Sequence, residues 1–309
     1  MDAGEPASVQ VMQMKVAVTG ATGLIGSCLV RMLKAEGKHT LLCLSRQGTQ
    51  DPDFRQTDYS QESLNALFAG VDAVIHLAAI RGGNSPAGYQ AYQENEVLTE
   101  KILKAMEANG VRKIVFLSSI SVYSDTALLP WSESQAPAPV NFYGLSKLCC
   151  EHLCQLYRRS GIVPVIFRCA HVLGYERRGY MLEIFMNLAS EHQTLTVKGK
   201  SEAEREFIYV KDVAAALCWA LDSESAEGVY NLGSGEKLTN LAVAQNVNAA
   251  FENEGNISYL DQQSEGIKPS YMCGERLSAA GFRTGYSFYE GVCDIRKEIF
   301  SGQTAGKEV

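Results

Sequence analysis

The 309-residue sequence lacks the features that mark several classes of protein. Its 28 basic residues are outnumbered by 35 acidic ones and form no cluster, which argues against a nucleic-acid-binding surface. No apolar run reaches the roughly 18 residues of a membrane-spanning helix, and residues 1–10 contain no apolar core of a signal peptide. We therefore expect a cytoplasmic protein with neither a nucleic-acid nor a membrane partner.

The nine cysteines also lack the pattern of a disulfide framework. Their number is odd, they are scattered, and several lie in apolar runs such as residues 41–44, as is typical of buried free thiols in a reducing compartment. Cys150 and Cys154 share one face of a predicted helix, but no second pair of Cys or His completes four metal ligands. We expect no metal site.

From Lys15 onward, short apolar runs alternate with longer amphipathic stretches, a pattern that predicts βαβ units and a parallel sheet covered by helices on both faces. The predicted strands span 15–19, 40–45, 73–78, 113–118 and 163–168. The predicted helices between them begin near Leu24, Ser63, Ala87 and Phe142.

After Arg168 the pattern changes, and we expect a smaller α/β lobe interleaved with the end of the sheet. This half is predicted to hold helices over 181–192 and 213–221, a short strand before Asp212, a helix from 239 and a helix near 289–300. The predicted organisation is a flexible tail over 1–13, a dinucleotide-binding domain over 14–170 and a substrate lobe over 171–309. Residues 130–139 contain three prolines and are predicted to form a surface loop.

A glycine-rich turn follows the first predicted strand and opens a helix, with the pattern Gly-x-x-Gly-x-x-Gly from Gly20 to Gly26. A side chain here would keep the backbone away from a pyrophosphate, whose charge the helix N-terminus stabilises. The pattern predicts a Rossmann-like, doubly wound parallel sheet that binds a dinucleotide; the alternative is a turn that only packs the strand on the helix. The predicted cofactor contacts in this turn are Gly20, Thr22, Gly23, Leu24 and Ile25.

The second predicted strand ends in Ser45 and Arg46, where an acid would hold the ribose of NAD. Because a guanidinium binds a phosphate as a fork, the pair favours NADP over NAD; the alternative is a surface arginine. Asp58 is predicted either to accept a hydrogen bond from the adenine or to cap the helix that begins near Ser60.

Further segments in the same order resemble the extended short-chain dehydrogenase/reductase family, in its nucleotide-sugar epimerase/dehydratase branch. They are His76–Ala79, Ser118–Tyr123, Tyr143–Lys147, Arg205–Val213 and Tyr230–Gly235. The resemblance implies an NAD(P)-dependent enzyme that acts on a nucleotide sugar, and a homodimer formed through the helices that begin near Ala87 and Phe142.

Tyr143 and Lys147 lie four residues apart and share one face of a predicted helix. A free phenol has a pKa of about 10, and an ammonium beside it favours the phenolate. With Ser119 holding the reacting oxygen, the three side chains can move a proton while a nicotinamide moves a hydride. The alternative is an exposed amphipathic pair.

The resemblance also implies roles for residues around this centre. Leu77, Ala78 and Ala79 would lie along the cofactor, Asn95 near the active site, and Lys147 on the nicotinamide ribose. Ser121, His171 and Arg205 would bind substrate. His171 stands where the family has an asparagine, and the alternative is a hydrogen-bonded residue at the edge of the pocket. Arg205 would bind the pyrophosphate unless it forms a surface ion pair.

Dehydratases of this branch have Asp-Glu directly after the catalytic Ser or Thr, whereas this chain has Ile120-Ser121, which disfavours elimination of water. The sequence leaves open a 4-epimerase, which recycles its cofactor, and a 4-ketoreductase, which consumes NADPH. Two other readings remain: an NADP-dependent carbonyl reductase for a non-sugar substrate, and a dinucleotide sensor without catalysis.

Overall fold

A computed structural model describes residues 13–81, 88–176 and 179–300. The predicted tail over 1–13 and the predicted helix start at Ala87 lie outside this part of the chain, except for residue 13. Within the described residues, no helix is long and apolar enough to cross a membrane.

The first half alternates strands and helices as the sequence predicts. Its elements are β1 (Lys15–Thr19), α1 (Leu24–Glu36), β2 (Thr40–Ser45), β3 (Phe54–Gln56), α2 (Gln61–Leu67), β4 (Ala73–His76), α3 (Gln90–Asn109), β5 (Lys113–Ser119), α4 (Phe142–Leu156) and β6 (Val163–Cys169). The third predicted strand is shorter than expected, since Leu77 has already left the sheet.

The second half contains shorter elements. They are β7 (His171–Leu173), α5 (Met181–Ser190), β8 (Leu195–Lys198), β9 (Arg205–Tyr209), α6 (Val210–Asp222), β10 (Gly228–Leu232), β11 (Lys237–Leu238), α7 (Asn240–Ala250), β12 (Ile257–Leu260), α8 (Glu275–Ala279) and α9 (Phe288–Ile295). A π-helical turn, Arg296–Phe300, continues α9 to the end of the predicted C-terminal helix.

Seven parallel strands form the central sheet in the order β10-β6-β5-β4-β1-β2-β3. Val16 and Val18 of β1 belong to the core on the side of α1 and α6, whereas Ala17 belongs to the core under α2, α3 and α4. The sheet is therefore covered on both faces, and the Rossmann-like, doubly wound prediction is confirmed.

The C-terminal half completes this sheet, because β10 pairs with β6. It also forms a three-stranded sheet, β11-β9-β7, and a two-stranded sheet, β12-β8. The predicted boundary after residue 170 stays a prediction, since strands on both sides of it belong to the central sheet.

The prediction of a surface loop over 130–139 was wrong at Trp131. Trp131 is only 4% exposed, its ring stacks 5.3 Å from that of Tyr123, and its backbone bridges to Met272. Three prolines made the segment look like a loop, but the tryptophan fills a gap between the sheet and the C-terminal half.

Candidate active site

A cavity of about 1170 Å³ opens at the carboxyl end of the central strands. It lies at the point where the strand order reverses between β1 and β4, which is where doubly wound sheets bind ligands. Its walls are the glycine turn, the ends of β2, β4 and β5, the start of α4, and β7, α5 and β9 of the C-terminal half. Its volume lies above the range of roughly 300–1,000 Å³ that is typical of pockets for a single small molecule.

The glycine turn fits a dinucleotide's pyrophosphate. Gly20 has a φ of +69°, and a Cβ there would lie 2.6 Å from the backbone nitrogen of Ala78. Gly23 caps α1 without a side-chain hydrogen bond, and the first turn of α1 holds no acidic residue of its own. Thr22, Gly23, Leu24 and Ile25 all line the cavity, so the first amides of α1 border it.

The end of β2 places Arg46 at the cavity wall and Ser45 beneath it. Ser45 is buried, and its Oγ accepts a hydrogen bond from the amide of Gln47 at 3.1 Å. The exposed Arg46 guanidinium lies 5.8 Å from the ring centroid of Tyr59 and 3.9 Å from a carboxylate oxygen of Glu94. Arg46 is thus available to a ligand.

Asp58 does not line the cavity. Its carboxylate accepts a hydrogen bond from the Ser60 amide at 2.8 Å, and Ser60 in turn caps α2 by accepting from the Ser63 amide. Of the two roles expected for Asp58, the geometry favours support of this helix start over contact with an adenine.

The loop after β4 is fixed on both sides. The amides of Leu77 and Ala78 both donate to Thr19 Oγ1 at 3.2 Å. Buried Asn95 accepts from the Ile80 amide at 2.6 Å and donates to Ile80 O and to Ser146 Oγ. Asn95 therefore ties this loop to α4, and Leu77, Ala78 and Ala79 line the cavity along it.

The predicted catalytic residues come together on one wall of the cavity. Ser119 ends β5, and its Oγ lies 3.2 Å from that of Ser121. Asn141 caps α4 by accepting from the Gly144 amide at 2.8 Å. A Cβ at Gly144 would collide with the carbonyl oxygen of Ser121, so glycine allows the first turn of α4, with Tyr143, to approach this turn.

The electrostatics of this wall differ from the expectation in one respect. Burial raises the pKa of Tyr143 to about 12, and the strongest opposing influence is the positive charge of Arg81. Burial lowers the pKa of Lys147 to about 8, and its Nζ donates to the carbonyl of Leu117 at 2.7 Å. The cation that acts most on the Tyr143 pKa is therefore Arg81, which we did not predict, and not Lys147. Its position just past β4, at the ligand-binding edge of the sheet, was the available signal.

A buried ion pair behind Ser119 was also missed. Arg168 Nη2 lies 2.8 Å from Glu151 Oε2, and the side chains are only 6% and 4% exposed. Ser118 Oγ donates to Glu151 at 2.5 Å, and Arg168 Nη1 donates to Tyr123 Oη at 3.0 Å. The network links α4, β5 and β6 directly beneath the predicted catalytic residues, and the signal was two opposite charges within apolar elements.

His171 and Arg205 face the cavity from the C-terminal half. His171 Nε2 lies 3.0 Å from Ser270 Oγ, and burial together with Arg205 lowers the pKa of His171 to about 4. Arg205 Nη2 donates to Asn240 Oδ1 at 2.7 Å, and its guanidinium carbon lies 5.1 Å from the Phe207 ring centroid. Within the described residues, Arg205 forms no ion pair, so the geometry does not favour the expected alternative of a surface salt bridge.

All nine cysteines are free thiols. Cys169 is notable among them because it lines the cavity and pairs in register with Ser119 across β5 and β6. Among the described residues, no group of three His, Cys, Asp or Glu side chains is placed to hold a metal ion.

The sheet order, the glycine turn and the Ser-Tyr-Lys wall define a Rossmann-fold enzyme of the extended short-chain dehydrogenase/reductase type. A family model, the NAD dependent epimerase/dehydratase family, matches residues 16–233. The chain belongs to this family of NAD-dependent nucleotide-sugar enzymes.

The relatives agree with this assignment. A Bacillus subtilis protein described as an uncharacterized UDP-glucose epimerase, YtcB, is 31% identical over 74% of this chain and 80% of its own. The structure of UDP-N-acetylglucosamine 4-epimerase from Bacillus cereus has a TM-score of 0.85 at 36% identity, over 96% of this chain and 98% of that one. UDP-glucuronic acid 4-epimerase from Bacillus cereus, in complex with UDP-glucuronic acid and NAD, has a TM-score of 0.80 at 25% identity, over 93% of this chain and 100% of that one.

Proposed function

We propose that the protein is a nucleotide-sugar 4-epimerase that acts by reversible hydride transfer at C4 of the sugar. The observation that carries the proposal is a single cavity that joins the glycine turn, the Ser119, Tyr143 and Lys147 wall, and Arg205. The names of the relatives above support the same reaction.

Several residues would hold the dinucleotide. The amides of Leu24 and Ile25 face the pyrophosphate position, Leu77 to Ala79 lie along the cavity, and Lys147 is the candidate for the nicotinamide ribose. When bound, the oxidised nicotinamide supplies the hydride acceptor and a positive charge.

Proton movement is assigned to the side chains of this chain. Ser119 Oγ donates a hydrogen bond to the C4 oxygen and orients it toward Tyr143. Tyr143 removes the C4 hydroxyl proton as the ketone forms and returns it as the alcohol is restored. The pKa of about 12 disfavours phenolate even with the Arg81 charge nearby, so we assign stabilisation of the charged form to Arg81 together with the positive charge of the oxidised nicotinamide when it is bound.

The C-terminal half would bind the rest of the nucleotide sugar. Arg205, which forms no ion pair with any residue that the structure describes, offers a cation for a phosphate group, which a guanidinium binds with two parallel hydrogen bonds. His171, neutral at physiological pH because its pKa is about 4, offers a hydrogen bond to a sugar or phosphate oxygen without adding charge.

A 4-ketoreductase that uses NADPH is the second candidate, and Arg46 favours it. The Arg46 side chain is 66% exposed, and the end of β2 carries Ser45 and Arg46 in place of an acid that would repel a 2′-phosphate. The two candidates differ in whether the cofactor stays bound through turnover.

The experiment that separates them is to denature the purified protein and identify the nicotinamide that it releases. Near-stoichiometric NAD indicates a recycled cofactor and supports the epimerase. An empty protein that binds NADPH more tightly than NADH indicates a consumed cofactor and supports the ketoreductase.

We also propose a homodimer through α3 and α4. These helices carry exposed apolar side chains, with Val97 51%, Leu145 38% and Leu156 56% exposed. Light scattering should give twice the mass of one chain, and a monomer mass would contradict the proposal.

A further inference from the structure

The carboxylate of Glu176 lies at the N-terminus of α1, in the wall of the cavity. Glu176 Oε1 accepts a hydrogen bond from the amide of Leu24 at 3.1 Å, although the two residues are 152 positions apart. Because Gly23 provides no side-chain cap and the first turn of α1 holds no acid, Glu176 supplies the negative charge that this helix start otherwise lacks.

The backbone around Glu176 is held on the first turn of α5. The buried carboxylate of Glu183 accepts hydrogen bonds from the amides of Glu176 and Gly179 at 2.7 Å and from that of Tyr180 at 3.3 Å. On the other side, an added Cβ at Gly174 would lie 2.6 Å from Leu24 Cδ2, so the chain packs closely on α1 there as well. Contacts with α5 on one side and with α1 on the other therefore fix the position of the Glu176 backbone.

Arg81 lies on the same part of the surface. A second, small pocket shares part of its lining with the cavity and is bordered by Leu24, Arg81, Glu176 and Tyr180, among others. The helix N-terminus and the Arg81 guanidinium favour an anion at this place, while the carboxylate of Glu183, which also lines the pocket, is taken up by the amides of residues 176, 179 and 180. In this structure, the anion that accepts the hydrogen bond of the Leu24 amide is the carboxylate of Glu176.

We propose that Glu176 is an internal mimic of the dinucleotide's pyrophosphate, which must leave the Leu24 amide before a cofactor binds. This inference rests on the proposed cofactor site, where the same amide faces the pyrophosphate. Two anions at one amide repel each other, so the cofactor must displace the carboxylate, and the displacement lowers its affinity. Glu176 thereby sets how readily the cofactor exchanges.

The test is the dissociation constant of NAD, measured by calorimetry at low ionic strength for the wild type, Glu176→Gln and Glu94→Gln. Glutamine keeps the size of Glu176 and removes its charge, so Glu176→Gln should bind NAD about fivefold more tightly, the upper range for one charge at an exposed helix end. Glu94→Gln is the matched control, because it removes one negative charge from the same cavity but not from the start of α1. It should change NAD affinity less than about twofold. Thermal unfolding confirms that each variant is folded.

The other outcomes overturn the inference in distinguishable ways. Unchanged or weaker NAD binding by Glu176→Gln, while the wild type binds NAD, refutes the mimic and leaves the proposed function intact. Equal tightening in both variants shows a general effect of cavity charge and also refutes it. If folded wild type and both variants bind neither NAD nor NADPH, the proposed cofactor site itself fails.

Discussion

Removal of the charge of Glu151 should destabilise the protein strongly, because its partner Arg168 would remain charged and buried. The pair is 4% and 6% exposed at the side chains, and Glu151 accepts three hydrogen bonds from Arg168 at 2.8 to 3.2 Å. Leaving one charge of a buried pair without its partner costs about 3–5 kcal/mol of unfolding free energy. At roughly 2 °C per kcal/mol for a chain of this size, Glu151→Gln should lower the Tm by about 6–10 °C, measured by calorimetry.

The matched control is Glu227→Gln, which breaks the exposed pair between Glu227 and Arg158, with an N to O distance of 3.2 Å. Exposed pairs contribute about 0–1 kcal/mol, so its Tm should stay within about 2 °C of the wild type. Replacing both buried partners, in Glu151→Leu/Arg168→Met, should recover part of the loss, since the unpaired charge is gone. If the Tm of Glu151→Gln equals that of the Glu227→Gln control, the argument from the buried charge is wrong.

Three further predictions address the site. Tyr143→Phe should lower turnover by roughly 10²–10⁴-fold, with unchanged Tm and unchanged binding of NAD, because only the proton transfer is lost; equal activity in a steady-state assay would contradict the role of Tyr143. Arg46→Ala should weaken NADPH binding about tenfold in a fluorescence titration and change NADH binding less than about twofold, since only NADPH has the 2′-phosphate; parallel losses would refute this. Because the pKa of His171 is lowered to about 4 in the folded state from 6.5, the unfolded chain takes up the proton first and stability falls as pH drops from 6.5 toward 4. Between pH 7 and pH 5, the free energy of unfolding measured in urea should fall by on the order of 1 kcal/mol less for His171→Asn than for the wild type. An equal fall in both proteins would contradict the lowered pKa of His171.

Local patterns predicted most of the fold. The predicted strands over 15–19 and 40–45 coincide with β1 and β2, and α1 and α4 begin at the predicted Leu24 and Phe142. The strands are buried and parallel, so their apolar runs, together with the glycine turn, were enough to locate these elements in the sequence. Trp131 was misjudged because its backbone partner in the C-terminal half, Met272, lies far away in sequence.

Only those residues of the candidate site that belong to one short sequence motif could be predicted from the sequence. Tyr143 and Lys147 lie on one helix turn, and their spacing was informative. Arg81, by contrast, acts on Tyr143 across the cavity, and Glu176 reaches Leu24 over 152 positions. Such contacts depend on how the two halves of the chain pack, and no local pattern encodes that packing.

The most direct test of the proposed function is to follow C4 of the sugar itself. Wild type and Tyr143→Phe would each be incubated with NAD and, separately, UDP-glucose, UDP-N-acetylglucosamine and UDP-glucuronate, and the products identified by proton NMR. We predict that the wild type converts at least one of these sugars to its C4 epimer and that Tyr143→Phe does not. If the wild type binds NAD but inverts none of the three sugars at C4, or if Tyr143→Phe inverts one at the wild-type rate, the proposed reaction or its assignment to Tyr143 is wrong.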